Sequence, residues 1–158
     1  MRNNVRLQLD DVCGIKESHF KLYEFEGDEG LVVVSDRLIL ALELLRFELN
    51  GIVVGDGEGT EAIIKVTSGT RTLTENAELA KKYGWTDQGG TVSKESRHLP
   101  KFGGIAADII PYYVGKTGAG VVPKVISVPL CRKFFDYVNA NYSDNHIHCD
   151  LRHGGKKL

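Results

Sequence analysis

The chain has 158 residues, 42% of them hydrophobic and 26% charged, with a formal net charge of -1. That is enough length to bury a core as one domain, and the balance lacks the basic surface that nucleic acid requires as a partner. No apolar run is long enough to cross a bilayer, and the opening MRNNVRLQLDDVCG has no secretory leader, so a membrane partner is not expected and synthesis in the cytoplasm without a signal peptide is. Cys13, Cys131 and Cys149 are odd in number and scattered, which suits a reducing compartment better than a disulfide framework.

In chain order, the first strong element is residues 35–51, SDRLILALELLRFELNG. Ser35 can cap a helix there, Asp36 suits the positive end of its dipole, and Asn50 with Gly51 supplies a stop. Its apolar residues are dense enough to predict a largely buried helix. The glycine-rich turn VVGDGEG then leads to the β-branched strand AIIKVTSG, residues 62–69. Thr72 and Glu75 have capping-box spacing, and Gly84 ends the helix they open. A loop, residues 85–96, runs to RHLPKFGGIAADII, whose last six residues read as a strand. Residues 111–123, PYYVGKTGAGVVP, read as a surface excursion. Ser127 and Pro129 open a helix to about Asn139, and NHIHCDLRH, residues 145–153, closes the chain as a strand. Helices and strands in this mixed order, without a Rossmann glycine signature, predict a single α+β domain with its core over about residues 19–152.

Alternation along the last strand puts His146, His148, Asp150 and Arg152 on one face and Ile147, Cys149 and Leu151 on the core face. Upstream, His98 and Asp108 flank a turn containing Gly103 and Gly104. A zinc site that does chemistry needs three ligands of histidine or carboxylate type and one open position. His98, Asp108 and one histidine of the final strand supply that count. Arg71 follows a strand end and a Ser-Gly turn, where a guanidinium can bind a carboxylate or an oxyanion. His19, His153, Trp85, Glu24 and Asp36 read as structural, with His153 in a polar tail expected to fray.

Ser96-Arg97-His98, Ala106-Ala107-Asp108 and His146-Ile147-His148, together with the SGTR turn before the second helix, resemble the zinc D-alanyl-D-alanine metallopeptidase family, which shares its fold with Hedgehog signalling domains. HFKLYEF and SDRLILALELLRFEL resemble the murein endopeptidase and phage lysin subgroup. The resemblance covers residues 19–152 and implies a small, mostly antiparallel sheet packed with helices, Hedgehog/DD-peptidase-like. It implies zinc held by His98, Asp108 and His148, with Arg71 binding the substrate and Ser96 hydrogen-bonded to it. Two features depart from the family. Nine residues lie between His98 and Asp108 where about six are usual, and Asn145 stands where relatives carry an acidic general base. Asp144, His146 and Asp150 are then the candidates for that base.

The resemblance thus implies metal-assisted hydrolysis of amide bonds next to D-amino acids in bacterial peptidoglycan peptides. The chain would act as a monomeric carboxypeptidase or endopeptidase on the cell wall, as a bacteriophage endolysin or virion component does. A cytoplasmic D-Ala-D-Ala dipeptidase is the enzyme alternative, and a non-catalytic zinc-binding module of the same fold is the other.

Overall fold

The structure, a computed structural model, describes residues 5–12, 15–53 and 60–155. Strands β1 (Arg6–Val12) and β2 (Ile15–Lys21) pair as an antiparallel ribbon, a feature the sequence pattern did not flag. Helix α1 (Asp36–Val53) follows. Arg37 N donates to Ser35 Oγ and to Asp36 Oδ1, as the expected cap residues predict.

The expected stop at Asn50-Gly51 is wrong: α1 continues to Val53. Asn50 has another task. Its side-chain amide donates to the Ala62 carbonyl at 3.0 Å and its oxygen accepts from Ala62 N at 2.8 Å. It thus extends the hydrogen bonding of strand β3 (Glu61–Ser68) onto the helix. Most of the glycine-rich turn, residues 54–59, and Cys13 lie outside the described residues.

Helix α2 (Leu73–Tyr83) has the expected capping box: Glu75 N donates to Thr72 Oγ1 and Thr72 N to Glu75 Oε2, with Gly84 at its end. The expected surface excursion over residues 111–123 is corrected. Strand β4 (Ala106–Gly115) runs through it and turns at residues 116–117 into β5 (Gly118–Val121). Pro111 hid this continuity, because an interior proline argues against a strand.

Helix α3 (Lys124–Phe134) starts earlier and ends sooner than expected. Pro123 precedes it and its carbonyl accepts from Ile126 N and Ser127 N. Pro129 therefore lies inside the helix and leaves the Val125 carbonyl without its usual partner, at a residue that is 82% exposed and open to water. Phe135 ends the helix in an extended conformation with its ring buried. The chain then enters β6 (Tyr137–Asn139) and, after a loop, β7 (Ile147–Asp150). The last strand is therefore shorter than residues 145–153, and His146 stands just before it. In the tail, where fraying is expected, His153 N and Gly155 N both donate to Asp136 Oδ2.

The molecule is an α+β domain with three helices and an antiparallel sheet among the described residues. β4 pairs with β3 along one edge and with β7 and β5 along the other, and β6 pairs with β7. Leu38, Ile39, Leu42, Leu45 and Leu49 of α1 meet Leu130 and Cys131 of α3 over Ile64, Ala107, Ile109, Ile147 and Cys149 of the sheet. The register aligns Ser68, Asp108, His148 and Asn139 across four neighbouring strands. Because strand side chains alternate, these residues lie on the face opposite the core. None of the described helices is long and apolar enough to cross a membrane.

Candidate metal centre

The three residues expected as ligands come together. His98 Nε2, Asp108 Oδ1 and His148 Nδ1 form a triangle with sides of 3.1, 3.1 and 2.9 Å, and this group can hold a metal ion. Tetrahedral bonds of zinc length would place neighbouring ligand atoms about 3.3 Å apart, so little movement would be needed. The nine-residue spacing is absorbed by a 3-10 turn at Pro100–Phe102 and by Gly103 and Gly104. Gly104 has φ +71°, and a side chain there would run into the backbone of Val33 and Val34.

What makes the triangle chemically distinct is the other side of each ring. His98 Nδ1 lies 2.7 Å from the Gly69 carbonyl, and a carbonyl can only accept, so the proton is on Nδ1 and the Nε2 lone pair faces inward. Gly69 has no side chain because one would overlap the Phe25 backbone. His148 Nε2 lies 2.9 Å from Asp150 Oδ2, which leaves Nδ1 for the centre. Outer partners of this kind fix tautomer and ring direction in metal sites.

Three lone pairs this close need a positive charge between them. Without a metal, it is a proton. Burial works against charge on His148, but its hydrogen bonds to Asp108 and Asp150 outweigh it and raise the pKa to about 9. Burial would also raise the Asp108 pKa, yet the bond from His148 and its charge hold that carboxyl well below the usual range. Asp150 is fully buried and likewise lowered, against its own burial, by Arg152 and His148. Arg152 bridges it through Nε at 2.9 Å and Nη2 at 2.7 Å and stacks on the Tyr137 ring. With both oxygens engaged, Asp150 is a poor general base and a good orienting group.

Arg71 enters from the turn between β3 and α2. Its backbone N donates to the His98 carbonyl, and Nη2 lies 3.9 Å from Asp108 Oδ2. Nη1 lies 3.4 Å from Asn76 Oδ1 and 3.3 Å from Ser96 Oγ. Burial lowers its pKa, with Asp108 opposing that shift. Ser96 is buried and its oxygen accepts from Arg71, so in this arrangement it anchors the guanidinium.

Asp144 and His146, which the sequence left as competing bases, form one unit. Asp144 Oδ1 accepts from both the backbone N and the ring Nδ1 of His146, and its pKa is lowered chiefly by the backbone bond. Tyr142, which sequence reasoning missed, stacks on His146 with ring centroids 3.9 Å apart. Its pKa is raised by burial and by the charge of Asp108. Its only sequence signal was its place in the loop that leads into the ligand strand.

In comparisons with known proteins, no family model, curated protein or solved structure matches the chain.

Proposed function

We propose that the chain is a zinc-dependent peptidase that cuts amide bonds involving D-amino acids in bacterial peptidoglycan peptides, of the Hedgehog/DD-peptidase kind. One observation carries this reading: His98, Asp108 and His148 turn three lone pairs to one point, and the two histidines are held in the required tautomers by Gly69 and Asp150. The donor set, two imidazoles and one carboxylate, matches hydrolytic zinc sites that keep a position open. Bound there, zinc supplies a Lewis acid for the scissile carbonyl and lowers the pKa of a water.

The chain's own residues supply the rest. Arg71, steadied by Asn76 and Ser96, offers a guanidinium to a substrate carboxylate or to the developing oxyanion. Asp144 accepts a hydrogen bond from His146 Nδ1–H and so leaves Nε2 free to accept a proton and return it to the leaving amine. The pair does the work that an acidic residue at position 145 would have done. Tyr142 limits the swing of the His146 ring.

Zinc content by elemental analysis, followed by mass spectrometry of purified peptidoglycan digested with the protein, tests the reading. Stoichiometric zinc and released wall peptides are expected. Zinc without hydrolysis of any wall fragment would leave a binding module, and cleavage of free dipeptide alone would point to a dipeptidase.

A further inference from the structure

Lys124 sits in the first turn of α3, where the helix dipole disfavours a cation. Its ammonium nitrogen nevertheless lies 2.8 Å from the Ala140 carbonyl oxygen, 3.2 Å from that of Tyr142 and 2.8 Å from that of Asp144. An ammonium group has three donors and no acceptor, so three carbonyls use it in full. Ordering a flexible lysine side chain costs conformational entropy, and an exposed lysine with nothing to hold would remain in water.

The three acceptors are alternate carbonyls of one loop, the link from β6 to β7. That loop carries Tyr142, whose ring stacks on His146, and Asp144, which accepts from both His146 nitrogens named above. Asn139 adds a bond from its side-chain amide to the Tyr142 hydroxyl at 3.3 Å. The aromatic and acidic partners of His146 thus hang from a main chain gathered around one amine. α3 is itself packed on α1 through Leu130 and Cys131, so the amine ties the loop to the rigid part of the domain.

We propose that Lys124 is a positioning residue for His146: it gathers the loop at residues 140–146 so that Tyr142 and Asp144 hold the His146 ring in one place. The step from ring position to proton transfer rests on the peptidase reading above, whereas the gathering of the loop does not.

Lys124→Met keeps the methylenes and removes the donors. The loop amides should then exchange about tenfold faster or more, and the ring-current shifts that Tyr142 imposes on His146 should collapse. Zinc affinity should stay within about threefold, because no ligand or outer partner is touched. On a wall peptide, kcat should fall about 10–100-fold with little change in KM. Lys124→Arg should recover part of the ring shift, since a planar fork reaches fewer of the carbonyls. If the methionine variant does not fold, Lys124→Ala with added n-propylammonium replaces it, and restored ring shifts are expected. Unchanged loop exchange and ring shifts in the methionine variant would overturn the proposal, as would an alanine variant that the amine does not restore. Should the wild-type protein cut no wall peptide, the peptidase reading falls, and the exchange and ring-shift measurements still decide the role of Lys124.

Discussion

Among the described residues, two buried carboxylates each hold a histidine, and one of those histidines belongs to the candidate site. Glu43, on α1, accepts from Ser18 Oγ at 2.9 Å, from His19 N at 2.6 Å and from His19 Nδ1 at 2.8 Å. It joins the N-terminal ribbon to the core helix, and the His19 side chain is 41% exposed. Asp150 holds His148 Nε2 in the same way, but the other nitrogen of His148 meets Asp108 and His98 at a place where its side chain is only 12% exposed. A histidine on a buried carboxylate is therefore an anchor by default. It becomes a candidate ligand when its remaining nitrogen meets further lone pairs away from solvent.

The largest effect should come from removing the convergent nitrogen. His148→Ala is expected to weaken zinc binding by well over about 100-fold, more than the loss of an outer partner costs, as read by competition with a chromophoric chelator. Glu43→Ala should do the reverse. It strips acceptors from a buried hydroxyl, a backbone N–H and a part-exposed imidazole, and should cost about 2–4 kcal/mol in urea unfolding with full zinc stoichiometry retained. A folded Glu43→Ala protein that loses zinc would break the contrast.

Much of this was legible from sequence, because the signals were local. The capping box at Thr72 and Glu75, the core-facing Ile147, Cys149 and Leu151, and the grouping of His98, Asp108 and His148 were expected from spacing, alternation and a resemblance. What escaped depends on long-range partners. Asn50 looks like a helix stop until Ala62 is beside it, and Pro111 looks like a break until β3 and β5 flank it. Asp150 looks like a base until Arg152 and His148 occupy it. Tyr142 and Lys124 carry no pattern of their own, and only the folded loop brings them together.

Asp150→Asn sharpens the contrast at smaller cost. The amide keeps the volume and one acceptor but loses the charge that fixes His148 and Arg152. Zinc affinity should fall about 10–100-fold. The matching Glu43→Gln change should leave zinc affinity unaltered, since the partners of Glu43 are Ser18 and His19 and none of the three candidate ligands. Equal losses in both variants would mean that global stability, not orientation of a ligand, controls metal binding.

The mildest test is pH, and its sign differs between the two loading states. Without metal, the folded pKa of His148 is raised to about 9 from an ordinary value of 6.5. The stability this contributes is fully present below about pH 6.5 and is lost as pH rises through about 9. Zinc needs the neutral ring, so loading must expel that proton, and affinity should rise about tenfold per pH unit up to about pH 9 and then level off. The melting temperature of the metal-free protein should thus fall between pH 6.5 and 9 while the gap to the zinc-loaded protein widens. In Asp150→Asn the rise in affinity should level off at a lower pH, because one of the two carboxylates that hold the proton is gone. A levelling point unmoved by that change would show that Asp108 alone holds it.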